Sequence, residues 1–204
     1  MLTKKQVEIL SVFSDESFAE LTFKEIKEKS GQKSNNIVQL ALGQFKKQGI
    51  IIPKKTGDVS TYRINPESGT ALAYLNLINE TMTLEKIRIP TGIIKEIKTR
   101  ISGITEFFIL AVFGSFAKGK ATEKSDLDIA VIVESDAVRK EITPFIETVK
   151  RREIRNIDYH VMTGSEFKDM LDAGYENLGK QIYKNSAICH GYSQYTRMMM
   201  GLKK

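Results

Sequence analysis

Two aspartates one residue apart, Asp126-Leu127-Asp128, with a third at Asp158, are the residues of this 204-residue chain whose types and spacing most suggest chemistry. Ser125–Val133 reads as a strand, and side chains on a strand alternate between faces. Asp126 and Asp128 therefore point one way, and Leu127, Ile129, Val131 and Val133 the other. Two carboxylates one pleat apart repel and gain a core-leading strand no stability. A hard divalent cation removes that cost, and Mg²⁺ commonly takes one or two carboxylates together with substrate phosphates. The alternative is a solvent-facing pair in a loop ahead of the strand. Asn156–Met162 alternates too, with Ile157, Tyr159 and Val161 on one face and Asp158 and His160 on the other. Laid beside the first strand, Asp158 completes a three-carboxylate cluster able to hold two metals and activate a hydroxyl toward phosphorus. Standing apart, it is an exposed strand charge. His160 shares the Asp158 face and reads either as a substrate contact or, the favoured reading, as a partly buried structural histidine; Cys189-His190 reads as packing.

Upstream, Phe107–Phe113 is a continuous apolar run, the pattern of a strand covered on both faces. It stops at Gly114-Ser115, ahead of Phe116-Ala117-Lys118-Gly119. Such an ending can offer backbone N–H groups and a hydroxyl to a phosphate, although Gly-Ser also occurs in ordinary turns. No Gly-Lys-Ser/Thr follows at P-loop spacing.

Taken in order, Gly114-Ser115-x-Ala117-x-Gly119 and Ser125-Asp126-x-Asp128 resemble the hallmark of the DNA polymerase beta-type nucleotidyltransferase superfamily, in particular its minimal prokaryotic members. The resemblance covers about residues 91–191. It includes Leu178–Tyr183 and Gly191, which look like that family's closing helix and turn. It implies a nucleotidyltransferase fold, a mixed sheet flanked by helices. It also implies Mg²⁺-dependent transfer of a nucleoside monophosphate from a nucleoside triphosphate, with ATP expected, to an acceptor hydroxyl. Gly114 and Ser115 would hold the triphosphate, helped by Lys118. Asp126 and Asp128 would ligate Mg²⁺, and Asp158 would ligate a second ion or take the acceptor's proton. Relatives often carry Arg at the Lys118 position; Lys keeps the charge but loses the bidentate fork. Little chain follows Asp158 to build an acceptor pocket, which leaves the acceptor open. Minimal members often act as antitoxins that adenylylate a partner toxin, so a partner protein is one acceptor class. The competing reading is a transcriptional regulator, antitoxin-like, whose nucleotidyltransferase domain senses nucleotide or docks a partner. The run Lys150-Arg151-Arg152 with Arg155 is either a solvated loop or a guide for a nucleic-acid or phosphorylated acceptor.

The elements ahead of this region read differently. Thr3–Gln6 and Thr22–Glu25 have capping-box form, each opening an amphipathic helix. Gly31 suits a left-handed helix end, and Ile37, Val38, Ala41, Leu42 and Phe45 line a third helix closed by Gly49. Ile50–Ile52 and Val59–Ile64 then flank Pro53–Asp58 as a hairpin with a basic tip. Three helices and a basic hairpin resemble a winged helix-turn-helix domain over residues 1–65. That resemblance implies DNA as partner, with Lys33, Ser34, Asn35, Asn36 and Gln39 toward base edges and Lys54 and Lys55 toward phosphates. Protein docking is the other use of such a module. Residues 66–90 read as a connector, with a helix over 70–86 that either packs between domains or pairs two copies as a homodimer. Residues 91–204 make the α/β (α+β) domain, opening on a helix with Ile93, Ile94, Ile97 and Ile101 inside. Met198–Met200 read as core or interface filler.

Composition bounds these expectations. Hydrophobic residues are 41% and charged residues 27%, values of a folded chain rather than a disordered one. The net charge is +6, and residues 1–65 hold 11 Lys/Arg against 7 Asp/Glu, while the rest hold 20 against 18. The excess thus sits in the segment expected to meet nucleic acid. No apolar run nears the roughly 20 residues of a membrane span, and the N-terminus lacks a signal peptide's apolar stretch. A single cysteine and two histidines exclude a disulfide framework and a closed zinc site. The expected compartment is the cytoplasm.

Overall fold

The computed structural model describes residues 1–15, 19–83 and 89–201. The chain divides into two compact units, one of Met1–Met82 with Thr196–Lys204, the other of Thr83–Tyr195. Sequence grouped 66–90 as a connector and 196–204 with the second domain; by contacts, 66–82 and 196–204 fall with the first unit.

The first unit opens on α1 (Lys4–Asp15), β1 (Leu21–Thr22), α2 (Phe23–Lys29) and α3 (Asn35–Lys47). Both capping boxes form. Thr3 and Gln6 exchange backbone-to-side-chain hydrogen bonds at 2.9 and 3.4 Å, and Thr22 and Glu25 do so at 2.7 and 3.3 Å. Gly31 ends α2 at φ +66°, where a Cβ would be strained. Ile9, Leu10 and Phe13 of α1 bury against Ile26 of α2 and Val38, Ala41 and Phe45 of α3. Next come β2 (Ile51–Thr56) and β3 (Val59–Ile64), antiparallel, with Thr56 opposite Val59. The hairpin is therefore tighter than its composition suggested: Gly57-Asp58 is the tip, and Pro53, Lys54 and Lys55 lie in the strand. Pro53 is tolerated because β2 is an outer strand of the β1-β3-β2 sheet. The two-residue β1 carries too little periodicity to be read from sequence.

A helix, α4 (Gly69–Ile78), follows, with Ala71, Leu72, Leu75 and Ile78 inside. It passes into a π turn over Asn79–Thr83, so the α-helix stops short of residue 86, and 84–88 lie outside the described residues.

The second unit runs α5 (Thr91–Ser102), β4 (Phe108–Phe113), a single turn α6 (Gly114–Ala117), β5 (Leu127–Val133), α7 (Asp136–Arg152) and β6 (Ile157–Thr163). It continues through α8 (Gly164–Asp172), α9 (Leu178–Lys184), β7 (Ser186–His190) and the start of α10 (Tyr192–Gly201), whose residues from Thr196 on fall with the first unit. The sheet order is β6-β5-β4-β7, with β5 and β6 parallel and the other pairings antiparallel, so the sheet is mixed. Isoleucines of α5 and Ile142, Ile146 and Val149 of α7 pack on the sheet face carrying Leu110, Val112, Leu127, Ile129 and Val131. With that face committed to the core, the period-two rule sends Asp128, Asp158 and His160 to the opposite face.

Candidate active site and nucleic-acid interface

Chain order and register assemble the site. β4 ends at Gly114, whose φ of +67° turns the chain into α6. A Cβ built on Gly114 would lie 1.9 Å from Oδ2 of Asp128 and 2.9 Å from its Cγ. The aspartate carboxylate thus lies directly over Gly114, and a side chain at that position would displace it. Within the turn, Lys118 N–H donates to the Gly114 carbonyl at 3.2 Å and Lys120 N–H to that of Ser115 at 3.0 Å. Lys118 itself is exposed.

The parallel pairing of β5 with β6 sets Asp128 opposite Asp158. Asp158 is exposed, and its Oδ2 lies 3.4 Å from Nε2 of His160, one pleat further along. His160 is 38% exposed and tilts toward the Phe113 ring at 6.1 Å, so it borders the carboxylates instead of serving only the core. Burial raises the Asp128 carboxyl above the ordinary aspartate range; Asp158 and then Asp126 add to the rise, and His160 opposes it. Asp126 is exposed and precedes β5 by one residue, so of the expected pair only Asp128 stands in the strand. Among the described residues, no group of three or more His, Cys, Asp or Glu is placed as a metal cluster. The charges that reach Asp128 are nonetheless those of the other two aspartates, the mutual repulsion that a divalent cation relieves. His190, by contrast, stacks on Phe108 at 4.2 Å, and Cys189 is buried, both as packing.

Residues 92–185 match the family model of the nucleotidyltransferase domain. The match spans α5 to α9 and so contains the Gly114-Ser115 turn and all three aspartates. Among curated proteins none matches. A solved structure, the ferric uptake regulator from Francisella tularensis with iron, is 25% identical over 33% of this chain. The chain spans 55% of that structure with a TM-score of 0.30, a likeness too low to carry an argument. No helix among the described residues is long and apolar enough to cross a membrane.

In the first unit, Lys33, Ser34, Asn35, Asn36 and Gln39 are all exposed around the start of α3. Ser34 occupies the N-cap without a side-chain cap bond. Lys54 and Lys55 are exposed on β2, and Lys54 pairs with Glu20 at 3.0 Å. Between α3 and the hairpin lies a cleft of about 480 Å³, lined among others by Gln39, Gly43, Lys46, Lys54, Lys55 and Tyr62. Gly43, Lys46 and Tyr62 escaped the sequence reading. Two signals were present: Gly43, Lys46 and Gln39 share one helical stripe, and glycine in a helix interior costs stability without capping anything. A Cβ at Gly43 would meet nothing within 4 Å, so neither packing nor backbone conformation requires glycine there.

Proposed function

We propose that the nucleotidyltransferase domain transfers a nucleoside monophosphate from a nucleoside triphosphate, ATP in the first instance, to a hydroxyl of a partner macromolecule. The observation that carries this reading is the Asp128 carboxylate seated over Gly114, with Asp158 beside it in register. Gly114 and Ser115 bind the phosphates through backbone N–H groups and the serine hydroxyl, and exposed Lys118 adds positive charge. Asp126, Asp128 and Asp158 are the residues that would hold Mg²⁺, which when bound neutralises phosphate charge. Asp158, exposed and next to His160, would take the proton of the acceptor hydroxyl. The acceptor oxygen bonds to the α-phosphorus as the bond to the bridging oxygen breaks, and pyrophosphate leaves with the electron pair. Most of the rate acceleration in such a reaction comes from positioning and charge neutralisation.

The first unit, on this reading, is a winged helix-turn-helix that binds DNA: the start of α3 toward base edges, and Lys54 and Lys55 toward phosphates. The cleft beside them adds Lys46 to the phosphate contacts. A second reading, a regulator whose nucleotidyltransferase domain binds nucleotide without transfer, draws support from the exposure of Asp126 outside the strand.

Incubation with α-labelled nucleoside triphosphates, Mg²⁺ and cell lysate separates the two. The transferase reading expects label on a macromolecule with wild-type protein and none with Asp126→Asn or Asp128→Asn. Nucleotide binding with no more transfer than those variants leaves the sensor reading standing.

A further inference from the structure

The basic run before β6 resolves into separate jobs. Arg152 pairs with Glu96, Arg151 lies 3.9 Å from Glu147, and the Lys150 ammonium sits 5.5 Å from the Tyr159 ring centroid. These three are engaged locally on the helix-covered side of the sheet. Arg155 is different. It is half-buried, and its Nη1 donates to the Ser125 carbonyl at 2.5 Å and to the Thr122 carbonyl at 3.4 Å. Its guanidinium also lies over the Phe116 ring, 5.1 Å from the centroid, and Phe116 is buried.

Those three partners belong to two of the segments that make the site, and Arg155 itself leads into the third. Phe116 follows Ser115 in the α6 turn. Thr122–Ser125 is a turn closed on itself, with Ser125 N–H donating to the Thr122 carbonyl at 3.1 Å and Thr122 N–H to Ser125 Oγ at 2.9 Å. It delivers the chain to Asp126 one residue later. Arg155 itself stands two residues before β6, and Leu127 N–H donates to the Asn156 carbonyl at 2.9 Å, the first rung joining the two strands.

We propose that Arg155 is a positioning residue of the nucleotidyl-transfer site: it ties the turn that delivers Asp126 to the Gly-Ser turn and to the strand bearing Asp158. The inference rests on the reading of the aspartates as metal ligands. Asp126 is the ligand that needs such help, because it lies outside the strand, ahead of the paired register that begins at Leu127. A guanidinium suits the task better than an ammonium. It presents several N–H groups in one plane, so it can reach two carbonyls while its face stacks on Phe116.

The sign of one measurement separates positioning from simple electrostatics and from simple fold support. Mn²⁺ is titrated into the full-length chain and followed by electron paramagnetic resonance, for wild type, Arg155→Lys, Arg155→Met and Asp128→Asn, with melting in EDTA recorded alongside. Removing a cation from the segments that carry the carboxylates would, by charge alone, leave Mn²⁺ binding unchanged or tighter in Arg155→Met. Loss of positioning weakens it, by about tenfold or more, as for other residues that orient metal ligands. Arg155→Lys keeps the charge but not the double contact, and is expected to weaken binding as well. If Arg155→Met and Arg155→Lys melt earlier yet bind Mn²⁺ as wild type does, or Arg155→Met binds it more tightly, the assignment is overturned. If Asp128→Asn binds Mn²⁺ like wild type, the metal reading itself fails and the positioning role with it.

Discussion

The face of α3 and its hairpin and the face of the Gly114 turn carry opposite charge, and they hold it in opposite ways. Lys46, Lys54 and Lys55 sit on long, mobile side chains around an open cleft, and the one fixed contact among the described ion pairs there is Lys54 with Glu20. Asp128 stands on a short side chain fixed to the sheet: register sets its neighbour, and its oxygen occupies the space a Cβ on Gly114 would take. Cations meant for a phosphate backbone lose little by being mobile, because their attraction is long-ranged and direction matters less. Carboxylates meant for in-line chemistry must be set beforehand, since errors near 1 Å can cost a hundredfold in rate. On the proposed reading, the two units thus differ in how tightly each must fix its charges.

Gly114→Ala is the hardest blow to the rigid face. The left-handed backbone alone costs about 1–2 kcal/mol with a Cβ, and the methyl would collide with the Asp128 carboxylate. Label transfer should fall to background with a lower melting temperature, read by transfer assay and calorimetry. A Gly114→Ala protein with normal transfer would break the claim that this face tolerates no displacement.

Asp128→Asn should also abolish transfer, yet it should melt higher than wild type in EDTA near neutral pH. The sign follows from the raised Asp128 carboxyl. The fold favours its protonated form, so wild-type stability is full below the ordinary aspartate value of about 3.9 and declines as pH rises through Asp128's own, higher value. Asn does not ionise. The gap between the two melting curves should therefore close in acid and open toward neutrality, and a gap independent of pH would contradict the repulsion.

On the mobile face the effects are smaller. Lys46→Ala should weaken DNA binding across sequences and lower the salt slope by about one unit, measured by gel shift over a salt series. Gly43→Ala sharpens the contrast further. It should raise stability by up to about 1 kcal/mol through helix propensity while weakening DNA binding, because the methyl intrudes on the cleft. Stability and DNA binding rising together would place DNA elsewhere.

Local signals carried much of this. Capping boxes at Thr3 and Thr22 and the strand over Ile157–Met162 follow from short-range patterns, and the structure forms these elements. What escaped was set by partners far along the chain. The two residues of β1 become a strand only by pairing with Tyr62 and Thr61. The hairpin tip shrank to Gly57-Asp58 because cross-strand pairing continues through Pro53, Lys54 and Lys55, residues that look like loop by composition. Asp126 slipped out of β5 because the parallel partner begins at Ile157, a register no single segment encodes. Arg155 was hidden behind the run Lys150-Arg151-Arg152, where type alone cannot separate a solvated charge from one bound to two carbonyls.

Where the triphosphate is cut is what most directly distinguishes nucleotidyl transfer. Reactions run in parallel with α-labelled and γ-labelled ATP, with pyrophosphate measured in each, decide it. Label on the acceptor from α-labelled ATP only, one pyrophosphate per label, and loss of both in Asp128→Asn is the expected result. Label from the γ-position, or label that persists in Asp128→Asn, would contradict it.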